Sequence, residues 1–121
     1  MAESHNLGQK GEAFAAQHLE KSGYKILNRN WNSGKLEIDI IAENKDFIVF
    51  CEVKTRSEDF LVPPGAAVTR EKQRSMVLCA DTYIQRYHIN KECRFDVITI
   101  IKGPDSYQIE HIEDAFYPTL R

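Results

Sequence analysis

The stretch FIVFCEVKTRS, Phe47 to Ser57, decides the fold. Its first half has no polar side: Phe47, Val49, Cys51 and Val53 point one way, Ile48 and Phe50 the other. A strand apolar on both faces is one covered on both faces, as the central strands of α/β sheets are. Glu52 and Lys54 then continue the Ile48–Phe50 face. An acid and an amine carried toward the covered part of a sheet need a reason, because burying a charge without a partner is costly. Either they pair with each other at the sheet margin or they belong to a site.

Working outward, Leu36 to Ala42 (LEIDIIA) reads as the preceding strand, with Glu43, Asn44, Lys45 and Asp46 supplying the turn. Before it, Lys25 to Trp31 alternates as a strand, and Asn32, Ser33 and Gly34 turn the chain. Leu7, Gly11, Phe14, Ala15, His18 and Leu19 recur at helical spacing, which predicts a helix from about Asn6 to Ser22 stopped by Gly23. Downstream, a loop carries Pro63, Pro64 and Gly65. A second helix is expected from an N-cap at Thr69 to Tyr87, with an inward stripe of Met76, Val77, Ala80, Tyr83, Ile84 and Tyr87. Strands at Arg94–Ile101 and Tyr107–Ile112 follow, joined by Gly103, Pro104 and Asp105. The order α-β-β-β-α-β-β predicts one α/β (α+β) domain over residues 1–121: a mixed sheet flanked by helices.

Composition narrows the function. With 42% hydrophobic residues the chain can bury a real core, yet no run is apolar enough to span a membrane. The polar start MAESHNLGQKGE does not read as a signal peptide, and none is expected. Cys51, Cys79 and Cys93 form no CxxC pair, and an odd count argues against a disulfide framework, so a cytoplasmic home is expected. Cys51 sits in an apolar pattern and reads as packing. The histidines, His5, His18, His88 and His111, lack zinc-ligand spacing. The net charge of −2 offers no general attraction for nucleic acid. Local basic groups matter more: Lys54 and Arg56 end the decisive strand, and Arg70, Lys72 and Arg74 open the second helix. These form either a solvated face or a phosphate-binding patch.

The hairpin of the second and third strands brings acids together. Centring an even turn on Asn44–Lys45 pairs Ala42 with Phe47, Asp39 with Phe50 and Glu37 with Glu52. In that register Glu37, Asp39, Glu52 and Lys54 share one face, with Asp39 diagonal to Glu52. Part-buried carboxylates at this spacing repel, and a hard divalent cation such as Mg²⁺ or Mn²⁺ relieves both repulsion and burial. A bound cation also polarises phosphoryl oxygens, and Lys54 would orient water or neutralise charge developing on a phosphate. The plainer alternative is a Glu52–Lys54 ion pair. On the first helix Glu12 shares a face with Ala15, Ala16 and Leu19 and borders the buried stripe; Gly11 beside it suits a close approach. A solvated Glu12 is equally consistent with that pattern. Gln73 precedes the inward stripe of the second helix, as a site residue or as an ordinary helix-end polar group.

The pieces GQKGE (Gly8–Glu12), GYKILNRNW (Gly23–Trp31), EIDIIA (Glu37–Ala42), VFCEVKTRS (Val49–Ser57), AVTREKQ (Ala67–Gln73) and RFDVITI (Arg94–Ile100) together resemble the YraN-like family of small bacterial proteins. That family is similar to the restriction-endonuclease-like superfamily, near the archaeal Holliday junction resolvases. The resemblance implies a restriction-endonuclease-like α-β-β-β-α-β core. It implies Asp39 and Glu52 as ligands of Mg²⁺ or Mn²⁺, joined by the Val53 carbonyl and assisted by Glu12. It implies Lys54 as the catalytic lysine and Gln73 as a polar helix position at the site. The activity expected from it is a metal-dependent endonuclease hydrolysing DNA phosphodiester bonds, branched or structured DNA included. Arg56, Arg70, Lys72 and Arg74 would hold the nucleic acid, and a homodimer would join two modest patches. The alternatives are a catalytically inactive nucleic-acid-binding or adaptor module, and a scaffold with no ligand. One departure stands out: Lys35 and Leu36 separate Gly34 from Glu37, where the family often has Gly directly before Glu.

Overall fold

A computed structural model describes residues 2–58 and 68–116. The elements, in chain order, are α1 (Ala2–Lys21), β1 (Lys25–Ser33), β2 (Leu36–Glu43), β3 (Phe47–Ser57), α2 (Arg70–Arg86), β4 (Glu92–Lys102) and β5 (Tyr107–Ile112). They are those the sequence predicts in kind and order; strand ends extend by one or two residues, and α1 starts at Ala2 rather than at about Asn6. The Pro63–Pro64–Gly65 loop lies outside the described residues. α1 ends where expected: Gly23 adopts φ +94°, and the Tyr24 N–H returns to the Leu19 carbonyl. α2 starts on Thr69, whose hydroxyl accepts from the Lys72 N–H at 3.1 Å.

The strands form one sheet in the order β1-β2-β3-β4-β5. β1, β2 and β3 meander antiparallel, β3 and β4 run parallel across the α2 crossover, and β5 returns antiparallel. The sheet is therefore mixed, in an α+β chain. β3 is central and covered on both faces. Val49 and Cys51 pack with Ile40, Ala42 and the α1 residues Ala15, Ala16 and Leu19. Ile48 and Phe50 pack on the other side with Met76, Val77, Ala80 and Tyr83 of α2.

Gly11 fixes how α1 meets the sheet. A methyl group built there would stand 2.2 Å from Thr55 Oγ1. The helix backbone thus lies against the far end of β3, closer than any side chain would permit.

The β2–β3 register corrects the expected one. Pairing runs from Glu43↔Ile48 to Ile40↔Cys51, two residues away from a hairpin centred on Asn44–Lys45. The cause is the Asn44 side chain, whose Oδ1 accepts from the Asp46 and Phe47 N–H groups and places Lys45 and Asp46 at the tip. A two-residue shift preserves side-chain parity, so it does not send Asp39 and Glu52 to opposite sides. Continued one step past Ile40↔Cys51, where the ladder ends, it would set Asp39 across from Glu52 rather than diagonal to it. Glu37 does not pair with Glu52; it is exposed and stands opposite Asn32 of β1.

Beyond Ile40↔Cys51 the two strands part, while β3 stays paired with β4 to its end, from Phe47↔Glu92 to Ser57↔Lys102. β2 keeps company with β1 instead. There Asn30 takes φ +52°, in the interval between the Arg29↔Ile40 and Trp31↔Ile38 pairs where Asp39 also lies. Ile38 and Ile40, two apart, consequently join opposite core clusters. The strand twists at Asp39.

Candidate functional site in the strand fork

The parting of β2 and β3 leaves β3 backbone groups without a ladder partner. Asp39 fills the gap: its Oδ2 accepts from the Val53 N–H at 2.8 Å. Its carboxylate reaches across the fork to the neighbouring backbone. In a strand the N–H and C=O of one residue point the same way, so the Val53 carbonyl faces the same gap.

Glu52 is 6% exposed and interacts with Asp39 from the α2 side. Burial, then the Asp39 charge, push its carboxyl up to about 7, against the pull of Lys72 and Lys54. Lys72 Nζ lies 3.3 Å from Glu52 Oε2, and Lys54 Nζ lies 3.9 Å from Oε1. Glu12 faces Asp39 from the α1 side. Its carboxyl is raised by burial and by Asp39, and is restrained by the Asn30 amide and by Arg29, whose Nη2 stands 3.8 Å away.

The remaining expected residues divide. The Gln73 Nε2 donates to the Val68 carbonyl at 3.2 Å, closing the entry to α2. Arg70 and Arg74 are exposed and share one helix face. Lys72, about 200° around from Arg70, faces the sheet instead, so the basic cluster is split. Arg56 Nη2 lies 3.8 Å from Glu110 of β5.

Among the described residues no three His, Cys, Asp or Glu side chains draw together as a ready cation cage. The chemistry nevertheless suits a hard divalent ion. Two neighbouring carboxylates, one driven toward protonation by burial and then by the other, and an adjacent backbone carbonyl supply the oxygens that Mg²⁺ and Mn²⁺ prefer. Mg²⁺ sites commonly use one or two carboxylates and leave the other positions to water or phosphate.

A second charged network was not anticipated. Asp96 is fully buried, and its Oδ2 and Oδ1 accept from Arg94 Nη2 and Nε at 2.9 Å each. His111 Nε2 lies 2.7 Å from Asp96 Oδ2, and His111 Nδ1 lies 3.0 Å from His18 Nε2. Burial would raise the Asp96 pKa, but His111, Arg94 and the Asp114 N–H together hold it below the usual range. This chain of contacts ties α1 to β4 and β5 on the side away from α2. The clue in the sequence is the one Glu52 gives: an acid inside an otherwise apolar covered strand, RFDVITII.

Fold and fork define a mixed-sheet α+β protein with an acid–acid–lysine centre where its central strand loses one neighbour. The chain belongs to the uncharacterised protein family UPF0102, which residues 11–100 match. It is 45% identical over 121 residues to a UPF0102 protein of Parabacteroides distasonis, covering all of both chains. It is 45% identical over 120 residues to UPF0102 protein BF0634 of Bacteroides fragilis, covering 99% of each. Among solved structures, that of Archaeoglobus fulgidus Hjc, a Holliday junction resolvase, aligns with TM-score 0.47 and 19% identity. The alignment covers 84% of this chain and 74% of that one. No helix among the described residues is long and apolar enough to cross a membrane.

Proposed function

We propose that the strand fork is the centre of a Mg²⁺- or Mn²⁺-dependent endonuclease that hydrolyses phosphodiester bonds of DNA, branched or structured substrates included. The observation that carries this reading is the juxtaposition of Asp39 and Glu52 at the fork, with Lys54 beside them. Two carboxylates held this close are a liability for folding unless the charge has a use. Asp39, Glu52 and the Val53 carbonyl would hold the cation, with Glu12 as an outlying acid on the opposite side. Held by these residues, a cation would supply Lewis-acid charge for a phosphate group and favour ionisation of water.

The protein's own residues do the rest. Asp39 is fixed by the Val53 N–H, so one oxygen is committed and its carboxylate is oriented before anything binds. Lys54 has no lone pair for a cation when protonated, and its half-buried ammonium, 3.9 Å from Glu52 Oε1, would meet the negative charge that grows on the phosphate. Arg70 and Arg74 on the outer face of α2, together with Arg56, would contact the nucleic-acid backbone, and a second copy would extend that surface. Gln73 supports the start of α2 through Val68.

A second reading has its own observation. Glu52 already carries two lysine partners, an arrangement that also suits a nucleic-acid-binding or adaptor module without catalysis. The test is incubation with linear, nicked, flapped and four-way-junction DNA in Mg²⁺ and in Mn²⁺, for the wild type and Asp39→Asn. Cation-dependent cutting lost in the variant supports the enzyme. Binding without cutting on every substrate supports the module.

A further inference from the structure

Two lysines attend one buried carboxylate, and they are not equivalent. Lys54 comes from β3 itself, two residues beyond Glu52, and stays 3.9 Å from Oε1. Lys72 comes from the first turn of α2 and is nearer, 3.3 Å from Oε2. The backbone of that turn is fixed, since the Lys72 N–H is held by Thr69 Oγ1 and the Gln73 N–H by the Thr69 carbonyl. The Lys72 side chain is 37% exposed, and among the described residues Glu52 is the carboxylate within ion-pair reach of its ammonium. Lysine is a compact point charge on a flexible stem, so it can leave one anion for another at little cost.

The geometry points to Lys72 as a resident counter-ion of Glu52, which a divalent cation displaces and which then pairs with a nucleic-acid phosphate. This rests on the reading of Asp39 and Glu52 as a cation site. The physical argument is conservation of charge in a small space. Asp39 and Glu52 beside each other need positive charge, and Lys72 supplies it from the start of α2. A divalent ion between the carboxylates removes that need and repels the ammonium. The released lysine stays beside the site because the start of α2 does not move. There it is correctly signed and sufficiently exposed for a phosphate. Cation loading and backbone binding are thereby coupled through one side chain. The coupling also runs backwards: nucleic acid that captures Lys72 uncovers Glu52 for the cation.

Calorimetry with Mn²⁺ and the full chain, without nucleic acid, tests the first half. Lys72→Met should bind Mn²⁺ about two- to fivefold more tightly than wild type, the range expected for loss of one partly exposed competing ion pair. Lys72→Arg should stay close to wild type, and circular dichroism in EDTA establishes that each variant is folded. Equal or weaker binding by a folded Lys72→Met protein, with measurable heat in both, overturns the counter-ion role and leaves the cation site standing. No heat in either overturns the cation site and this inference with it. The second half is read from the salt dependence of duplex DNA binding in a Lys54→Ala background. Adding Lys72→Met should lower the slope of log affinity against log salt by about 0.9, one phosphate contact, in Mn²⁺, and by clearly less in EDTA, where Glu52 still competes for the ammonium. The same loss in both conditions, or in neither, overturns the hand-over.

Discussion

Replacing Gly11 by alanine sets two well-known effects against each other. In an ordinary helix interior the change is favourable by about 1 kcal/mol, because alanine has the better helix propensity. Here the added Cβ would meet Thr55 Oγ1 at 2.2 Å, well inside contact distance. Thr55 is β-branched and stiff at χ1, and its strand is paired with β4 at Thr55↔Ile100, so neither side yields freely. Overpacking of this kind costs about 1–3 kcal/mol. The net expectation for Gly11→Ala is a loss of up to about 2 kcal/mol. The sign should reverse in a Thr55→Ala background. With Oγ1 gone, the nearest remaining contacts are Thr55 Cβ at 3.5 Å and Ile100 Cγ1 at 3.6 Å, both ordinary. In that background Gly11→Ala should stabilise by about 0.5–1 kcal/mol. Urea unfolding of the four proteins of this cycle measures both differences. The same sign in both backgrounds refutes the close approach of α1 to β3, and with it the reason Glu12 stands beside Asp39. Because Glu12 rides on this contact, Gly11→Ala should also weaken any Mn²⁺ response more than Ala13→Gly, two residues on, does.

Other outcomes follow from the same geometry. Millimolar Mn²⁺ should raise the melting temperature of the wild type by mass action, and Asp39→Asn should abolish the rise; an undiminished response would remove Asp39 from the site. Lys54→Ala should keep Mn²⁺ binding and DNA affinity while losing cleavage, and equal cutting by the variant would take the lysine out of the chemistry. The Glu52 carboxyl is raised in the folded state, so its ionisation opposes folding: stability in EDTA should fall as the pH rises from about 4.5 to about 7. Glu52→Gln should flatten that decline in urea titrations at pH 5 and pH 8, and a decline of the same size in the variant would assign it elsewhere. Asp96 has the opposite sign. Its lowered pKa gives stability that is present above the ordinary aspartate range and lost as the pH falls through its folded value. Asp96→Asn should therefore cost about 3 kcal/mol or more at pH 7 and progressively less below about pH 4 in the same assay.

Much of this architecture could be read directly. The double-sided apolar run of β3 required cover above and below, and the helical stripes of α1 and α2 supply it, although Tyr87, expected inward, is exposed and Cys79, outside the expected stripe, is buried. Thr69 and Gly23 announced their helix ends by known local chemistry. Parity of spacing was enough to bring Asp39 and Glu52 together, although the expected register was off by two. The Asn44 side chain chose the tip of the hairpin, and such a side chain–backbone competition leaves no periodic trace. The fork itself was not legible. Nothing in LEIDIIA says that β2 abandons β3 after Ile40, because strand pairing is a long-range choice made by the whole sheet. The split of Arg70 and Arg74 from Lys72 follows from helical geometry once the buried stripe is known. The partner of Lys72 does not, since it depends on where Glu52 ends up in space. The Asp96 network joins residues from α1, β4 and β5 that are distant in sequence, and only the isolated acid in β4 hinted at it.

The fork also has a mechanical meaning. Asp39 rides on the β1–β2 hairpin, whereas Glu52 and Lys54 ride on the β3–β4 pair, and the seam between the two halves is short. Proteins open locally along such seams before they unfold globally. Each half of the acid pair therefore belongs to a different unit of breathing, and the seam's free end is held by one side chain–backbone bond, Asp39 to Val53. Anything that grips both carboxylates acts as a rivet through the two plates. Amide hydrogens at the ladder end, those of Ile40 and Cys51, would register the rivet as slowed exchange, while amides buried between β3 and β4 would not. The site is thus a natural gauge of its own occupancy, readable in the backbone without any chemistry taking place.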